Sequence, residues 1–396
     1  MARLPGKTKM KTTRKTSRKK KIMPENAGAP TATEAESKQK FIAAPPEDLF
    51  VIGVSPHIRK SVTTTGIMGW VIVALLPITI YGIYIGGLAA FVVVAMSIIG
   101  TVGTEAVVQR MRHLPVTVFN LSALVSGLLL ALVLPPRLPF WMPLIGGIVA
   151  MLLGKHVFGG LGHNIFNPAL VGRAVLFVSW TEYMTTSYLG HPLAAVVNTA
   201  AIKTINSTTS ATPLAALSLA REHELAMSVS GARYIKPLLF GNPWGQIGEV
   251  SGLLILVGLA ILLINGIVDW RIPVVYVGVV MALSWILGMN PMFAMLSGGL
   301  LFGACFMATD YVTNPMTVWG KVVFALGCGI ITVVLRFYSN LPDGVMFAIL
   351  FMNGLTPLID RYLKPRPYGH KRHGNNKAKT KELDNENHGA GAGVVA

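Results

Sequence analysis

About ten long apolar segments, separated by short polar connections, constrain the fold of this chain more than any other feature of its sequence. Each segment is long enough, or nearly long enough, to cross roughly 30 Å of hydrocarbon as a helix. Several are near 16 residues and rich in glycine or proline, so we expect some of them to tilt, break or enter the membrane only partly. Charged residues make up only 13% of the chain, about half the share in an ordinary soluble protein. The sequence therefore predicts an all-α polytopic membrane protein with about ten transmembrane helices. The predicted spans are residues 66–84, 86–108, 119–134, 139–154, 165–180, 250–268, 273–289, 293–309, 321–336 and 345–362.

The net charge of +17 is concentrated at the two ends of the chain. Residues 1–48 are predicted to be a basic disordered arm, and residues 364–396 form a basic tail. Positive charge that flanks an apolar body favours contact with an anionic membrane surface over nucleic-acid binding. No apolar run follows the first basic stretch, so it is not a secretory signal peptide.

The distribution of loop charges predicts the orientation. An even number of spans places both termini on one side, which the positive-inside rule identifies as the cytoplasm. The long connection at residues 181–249 then faces the extracytoplasmic side. Short loops on the side of the tails carry Arg110, Arg112, Lys155, Arg271 and Lys321, and those on the opposite side carry Arg137 and Arg336.

The long connection divides the membrane body into two halves, residues 49–180 and residues 250–363, with five predicted spans each. Similar Asn-Pro elements occur in both, FGGLGHNIFNPA at 158–169 and FGACFMATDYVTNPM at 302–316. This layout predicts a five-plus-five inverted repeat of the kind found in transporters and channels. Asn-Pro pairs are also common helix punctuation, so the similarity has a simpler interpretation.

Charged residues within the predicted spans are the first candidates for function. Arg173 lies inside a span, where an unpaired arginine costs about 2.5–3.5 kcal/mol. We expect it either to bind a carbonyl, an acid, a phosphate or a flavin carbonyl, or to snorkel to the membrane surface. Glu105 lies close in sequence to Arg110 and Arg112, which favours an interfacial ion pair over an ion site.

Asp310 and Asp360 end predicted spans on the cytoplasmic side, where a carboxylate would attract a cation into an ion path. Alternatively, Asp310 caps a turn and Asp360 pairs with Arg361. Cys305 and Cys328 lie in apolar runs without metal-ligand spacing, which predicts two small buried hydrophobes. No hydrolase, dinucleotide-binding or ATPase motif occurs in a suitable setting.

The long connection contains a hydroxyl-rich stretch, INSTTSATPLAALS at 205–218. Taken alone, this stretch is compatible with a helix start, with Thr212 as the N-cap and Pro213 at the first helical position. TSATPL at 209–214 also resembles the flavinylation motif of the D subunit of the Rnf ion-translocating oxidoreductase. The resemblance extends over approximately residues 50–372 and includes FGGLGHNIFNPALVGRAVLF, FMATDYVTNPMT, LPDGVMFAILFMNGLTPLID and PRPYGHKR. The B subunit of the sodium-translocating NADH:quinone reductase belongs to a sister family.

The resemblance implies covalent FMN, joined through its phosphate to Thr212, with Thr209, Ser210 and Ala211 as recognition residues. It also implies a flavin transferase that acts outside the cytoplasm, and it leaves open a second, non-covalent flavin. Electrons would pass between ferredoxin and NAD, coupled to Na+ or H+ transport in a bacterial or archaeal cell membrane. Other Rnf-type membrane, iron–sulfur and flavin subunits would supply the remaining centres, so this chain alone is not expected to catalyse the reaction. The alternative is a redox-inert permease or channel.

Overall fold

The computed structural model describes residues 63–113, 117–186, 232–241, 245–339 and 344–364. Within these ranges all regular secondary structure is helical, as the sequence predicts. The arm at 1–48 and the flavin-motif residues 209–212 lie outside the described residues. The α-helices are α1 Thr64–Met111, α2 Ser122–Leu132, α3 Trp141–Met151, α4 Pro168–Ser179, α5 Thr181–Thr186, α6 Ala232–Phe240, α7 Gly252–Ile264, α8 Arg271–Ile286, α9 Pro291–Leu296, α10 Leu300–Phe302, α11 Val318–Tyr338 and α12 Gly344–Tyr362.

Helix α1 is a hairpin of two antiparallel halves. Gly87 has φ 64° and ψ −154°, a backbone conformation that is essentially restricted to glycine. A continuous helix would separate Met68 from Glu105 by about 55 Å, at 1.5 Å per residue. Yet Met68 lines a cavity together with Lys155, and Glu105 is bound to the same lysine. The chain therefore reverses at Gly87, two residues beyond the predicted boundary at residue 85.

Two described helices are long and apolar enough to cross a membrane, Thr64–Met111 and Val318–Tyr338. Five further apolar helices have between 10 and 17 residues. One of these five, α3, runs into a π-helical turn at Leu152–His156, and the three-residue α10 runs into another at Gly303–Met307. The helical class is thus observed, whereas the number of crossings stays a prediction.

Large apolar side chains cover the outside of the helices, while polar side chains lie inside. Ile264 is 85% exposed and Leu88 is 78% exposed, whereas Ser97 and Thr101 are fully buried. A soluble protein rarely exposes so many large apolar residues. Lipid tails are the surroundings that fit such a surface.

Small residues allow the helices of the first half to approach closely. A Cβ atom added at Gly100 would lie 2.6 Å from the carbonyl O of Leu144, and one at Gly147 would lie 2.9 Å from the carbonyl O of Ser97. Backbone contact at small residues is the usual means by which helices associate in membranes. It holds the second half of α1 against α3.

Two ends of the helix assembly can be distinguished. We call one the Lys155 end, because α3 runs towards Lys155 in its terminal π-helical turn. The other is the Trp180 end, where Trp180 packs edge-on against Trp141 at the start of α3, with ring centroids 5.3 Å apart. The N–H of Ile247 donates to the carbonyl O of Leu134, just after α2, at 3.2 Å. The segment that precedes α7 is therefore also at the Trp180 end.

Candidate functional site

A buried ion pair lies at the Lys155 end of the assembly. Nζ of Lys155 is 2.7 Å from Oε1 of Glu105 and 2.8 Å from Oγ of Ser122. The side chains of Lys155 and Glu105 are only 3% and 1% exposed. Burial of either charge alone would be costly, so each requires the other. The pair connects α1, α2 and the end of α3.

The π-helical turn Leu152–His156 positions the lysine. Such turns insert an extra residue into a helix and occur often at functional sites. Gly154 allows this turn to lie directly on the start of α4, because an added Cβ atom would be 2.6 Å from Cα of Pro168. Asn167 begins α4 and accepts hydrogen bonds from the N–H groups of Ala169 and Leu170, as an N-cap residue does.

Hydrogen bonds extend the ion pair towards the connection between α1 and α2. Nε2 of Gln109 donates to Oε1 of Glu105 at 3.1 Å and to Oγ1 of Thr117 at 2.8 Å. Oε1 of Glu105 therefore accepts from two groups. In contrast, Oε2 of Glu105 and Nε2 of His156 are buried without a hydrogen-bond partner. Unsatisfied buried polar atoms are rare and often mark functional sites.

The predicted pairing of Glu105 with Arg110 or Arg112 is wrong. Glu105 faces the interior, where it meets Lys155, which is fifty residues away in sequence. Arg112 is exposed and donates from Nη2 to the carbonyl O of His156 at 3.2 Å. The interpretation of Lys155 as a loop charge is wrong for the same reason. Proximity in sequence favoured Arg110 and Arg112 as partners of Glu105, but both arginines are exposed, whereas Glu105 is buried.

A small cavity lies beside Lys155, and half of the residues that line it are apolar. Its volume is about 60 Å³, room for about two water molecules at 30 Å³ each. A drug-sized ligand needs about 300–1,000 Å³, so this cavity suits a water molecule or a small ion and not a flavin. Its polar lining residues are Ser122, Ser126, Lys155, Asn164, Asn167 and Asp310.

The two predicted ion-path carboxylates have different surroundings. Asp310 lines the cavity, and Oγ1 of Thr313 donates to its Oδ2 at 3.3 Å. Asp360 does not line it, and its Oδ1 accepts from the backbone N–H of Met316 at 3.1 Å. Asp360 thus ties α12 to the turn before α11, and within the described residues no ion pair joins it to Arg361. Only Asp310 is brought together with Lys155.

The two Asn-Pro elements meet at the same end of the assembly. Nδ2 of Asn167 donates to the carbonyl O of Met307 at 3.4 Å, and both elements contribute residues to the cavity. Inversion would send corresponding elements to opposite ends. The Asn-Pro elements are therefore not counterparts in an inverted repeat, and the similarity that suggested the repeat does not support it.

Arg336 forms a second buried cationic site, at the Trp180 end. It lies about 27 Å along α11 from the start of that helix, at 1.5 Å per residue. Its guanidinium donates to the carbonyl oxygens of Ala294, Ser297 and Gly298 at 2.9–3.0 Å. These carbonyls belong to the break between α9 and α10, so Arg336 satisfies groups that the interrupted helix leaves free. Its interpretation as a loop charge is wrong.

Arg173 is buried in α4, with 4% of its surface exposed. The flavin-motif residues Thr209, Ser210, Ala211 and Thr212 fall outside the described residues. The connection that contains them leaves α5 after Trp180 and therefore begins at the end opposite Lys155.

A cluster of one acid and two cations joins the connection between α7 and α8 to helix α11 at the Lys155 end. Oδ2 of Asp269, before α8, lies 3.0 Å from Nζ of Lys321 and 3.1 Å from Nη1 of Arg271. Burial opposes ionisation of Asp269, but the N–H of Arg271 and the two cations outweigh it and lower the pKa of this carboxyl. These contacts fix the connection between α7 and α8 beside α11.

The cysteines behave as predicted. Cys305 and Cys328 are both buried, and neither forms a disulfide. Among the residues that the structure describes, no group of histidine, cysteine and acidic side chains is arranged to hold a metal ion.

An all-helical chain with a lipid-facing apolar exterior and buried ionisable groups defines an integral membrane protein. The chain belongs to the NQR2, RnfD, RnfE family, whose family model matches residues 51–369.

Three relatives illustrate its place in the family, and each is the D subunit of its complex. That of the Na+-translocating ferredoxin:NAD+ oxidoreductase complex of Acetobacterium woodii is 40% identical over 320 residues, 80% of this chain and 95% of the relative. That of the proton-translocating ferredoxin:NAD+ oxidoreductase complex of Clostridium ljungdahlii is 40% identical over 334 residues, 82% of this chain and 98% of the relative. That of the ion-translocating oxidoreductase complex of Methanosarcina acetivorans is 32% identical over 321 residues, 81% and 97% of the two chains. The expected similarity to the D subunit of the Rnf complex is confirmed.

Proposed function

We propose that this chain is the D-type membrane subunit of an ion-translocating ferredoxin:NAD+ oxidoreductase complex and carries covalent FMN on Thr212 as an electron relay. The observation that carries the proposal is the match to relatives of that name along four-fifths of the chain. The TSATPL segment supplies the hydroxyl acceptor. Other Rnf-type subunits hold the ferredoxin and NAD sites, and a flavin transferase attaches the FMN.

Bound FMN supplies one- and two-electron chemistry, and the protein positions it and adjusts its potential. Thr212 would hold it through the phosphate, with Thr209, Ser210 and Ala211 recognised by the transferase. The described cavity is too small for a second, non-covalent flavin. The rival function, a redox-inert permease or channel, requires no flavin at all.

Thr212→Ala tests the relay. We expect the variant to insert into the membrane but to lose the in-gel flavin fluorescence that wild-type protein keeps after denaturation in SDS, because the acceptor hydroxyl is gone. Thr208→Ala, just before the motif, is the matched control and should retain fluorescence. Mass spectrometry identifies the modified residue. FMN on Thr209 or Ser210, or a wild-type chain without flavin, would contradict the assignment.

Arg173 is the proposed cationic partner of a flavin or of another group within the helices. Its burial in α4 requires compensation for the charge. Arg173→Leu removes the cost of burying a cation, so the complex should still assemble while ferredoxin:NAD+ activity falls. Normal activity at a normal yield of complex would remove Arg173 from the proposal.

At least one of Asp310 and Asp360 is proposed to line the cytoplasmic approach of the coupled cation. Carboxylate oxygens are suitable ligands for a small hard cation, and Asp310 faces a cavity of the appropriate size. Asp310→Asn should raise the cation concentration that gives half-maximal turnover, with flavin content unchanged. Asp360→Asn should have a smaller effect, because Asp360 lies outside the cavity. Unchanged cation dependence in both variants would contradict the ion path.

The coupled ion is Na+ or H+, and relatives of equal identity carry names for each. The deciding experiment uses the intact complex in sealed vesicles. Na+ uptake that is driven by ferredoxin:NAD+ oxidoreduction and survives a protonophore identifies Na+ as the primary ion. Uptake that the protonophore abolishes identifies H+.

The proposal includes cytoplasmic termini and an extracytoplasmic flavin segment in the cell membrane. With Lys155 and Arg336 buried, the remaining short-loop cations are Arg110, Arg112, Arg271 and Lys321 against Arg137, so the charge bias persists. Both native cysteines are buried, which gives a low labelling background. Arg137→Cys should react with an impermeant maleimide in intact cells, and Arg110→Cys only after permeabilisation.

We also propose an inverted repeat whose counterparts differ from the Asn-Pro elements. Asn120 accepts from the N–H of Ser122 at 3.0 Å, and Asn290 accepts from that of Met292 at 3.0 Å. Asn120 lies at the start of α2, which Lys155 contacts through Ser122, and Asn290 lies at the start of α9, which Arg336 contacts through the carbonyl O of Ala294. Phe119→Cys and Met292→Cys should therefore be labelled from opposite sides of the membrane, and labelling from one side would exclude the repeat.

A further inference from the structure

Three ionisable side chains determine the charge of the small cavity at the Lys155 end. Lys155 and Asp310 line the cavity, and Glu105 is bound to Lys155. Asp310 accepts from Thr313 but forms no ion pair within the described ranges. Since Lys155 neutralises Glu105, this group of residues carries one net negative charge.

The two other ionisable groups beside the ion pair do not change this charge. Nε2 of His156 is buried without a partner, and an imidazolium N–H in that position would be costly, so the ring is neutral. Arg112 is exposed and donates to the carbonyl O of His156. Solvent therefore screens its charge.

We propose that Lys155 is an internal counterion that cancels Glu105 and leaves Asp310 as the single charge that accepts one monovalent cation in the cavity. The inference rests on the proposed ion path and adds what sets its selectivity. A site with one negative charge is neutral when a monovalent cation is bound, and a buried divalent cation would leave an uncompensated charge. The cavity, with room for about two waters, has space for one small ion.

Glu105 has the capacity to become a second ligand when Lys155 is removed. Only its Oε1 is engaged, by Lys155 and Gln109, whereas its Oε2 is buried and unpartnered. Ser122, which binds Lys155, also lines the cavity. The ammonium group of Lys155 thus occupies the position from which a cation would reach the side-chain oxygens of both Glu105 and Ser122.

The test is a double-mutant cycle in the intact complex. Lys155→Met removes the positive charge at nearly constant volume, Glu105→Gln removes the negative charge, and the double variant restores the original balance. The readout is the Na+ concentration for half-maximal turnover, measured with a protonophore. If wild-type turnover does not depend on Na+, the proton concentration for half-maximal turnover is measured instead. Complex yield and flavin fluorescence are recorded for every variant.

The two single variants should shift the requirement in opposite directions. Lys155→Met should lower the half-maximal concentration and make Mg²⁺ an inhibitor, because two carboxylates then face the cation. Glu105→Gln should raise the concentration, because Lys155 is then left to neutralise Asp310. Each shift should be at least about tenfold, since a unit charge acts at short range in a protein interior. The double variant should return to within about twofold of wild type.

Several outcomes overturn the counterion role. They are single variants that shift in the same direction, a double variant that deviates as far as either single variant, and a double variant that does not assemble. If neither single variant assembles, the double variant and Lys155→Arg still decide the matter, because both keep the site charge and must keep the wild-type requirement. Failure of the proposed ion path is a separate result, namely unchanged cation dependence in both Asp310→Asn and Asp360→Asn.

Discussion

Substitution of Gly100 by alanine should weaken the contact between the second half of α1 and α3. The added methyl group would lie 2.6 Å from the carbonyl O of Leu144 and 3.3 Å from Cα of Gly147. Both are backbone atoms, so no side chain can rotate to make space. Overpacking costs about 1–3 kcal/mol, and the better helix propensity of alanine returns about 0.5–1 kcal/mol. The expected net loss of stability is about 0–2.5 kcal/mol.

Gly103 provides the matched control, because it lies on the same helix and an added Cβ atom would meet nothing within 4 Å. Gly103→Ala should leave stability unchanged or raise it by up to about 1 kcal/mol. Both variants would be compared with wild type by thermal melting in detergent, followed by size-exclusion chromatography. Equal melting temperatures for Gly100→Ala and Gly103→Ala would refute the packing of α1 on α3.

Three further predictions use the same melting assay. Thr332→Val should be more destabilising than Tyr276→Phe, because Thr332 donates to a carbonyl and accepts from the buried Tyr276 hydroxyl at 2.7 Å, and the valine would leave that hydroxyl unsatisfied at a cost of about 1–3 kcal/mol. Asp269→Asn should cost about 0.5–1 kcal/mol at neutral pH. The pKa of Asp269 is lowered from 3.8 in the folded protein. Its contribution to stability is therefore complete above pH 3.8 and is lost as the pH falls through the lower folded-state pKa. Below that pKa, Asp269→Asn and wild type should be equally stable. Arg336→Met should be more destabilising than Thr332→Val or Asp269→Asn, since three carbonyl groups lose their donor. A melting temperature equal to that of wild type would show that Arg336 does not stabilise the break between α9 and α10.

The helical class was predictable from the sequence because lipid imposes a strong and local constraint. A run of apolar residues must satisfy its own backbone hydrogen bonds, which only a helix does within one segment. The reversal at Gly87 also falls within two residues of the predicted boundary between the first two spans. The position of a break inside a span, such as the one between α9 and α10, was harder to predict, because the break depends on a hydrogen-bond donor that is distant in sequence, Arg336.

The candidate site was only partly predictable. Asp310 stood out because acids are rare in an apolar body, and the structure brings it to a cavity. From the sequence, its partner residue Lys155 is expected to be a loop charge, because a lysine near the end of a span is usually exposed. The sequence did contain a useful signal, because Lys155 and Glu105 carry opposite charges and lie near the ends of two predicted spans. Which charges meet depends on the π-helical turn, which no periodicity in the sequence indicates.

Stability alone does not account for the ion pair between Lys155 and Glu105. Replacement of a buried ion pair by well-packed apolar residues of similar volume is often neutral or stabilising, whereas removal of one partner costs about 3–5 kcal/mol. The pair is therefore an expensive way to join α1 to α3, which already make close backbone contact at Gly100 and Gly147. What an apolar pair would not provide is a fixed positive charge beside Asp310. Assembly and cation requirement should thus respond separately to the double-mutant cycle, with assembly following the pairing and the cation requirement following the net charge.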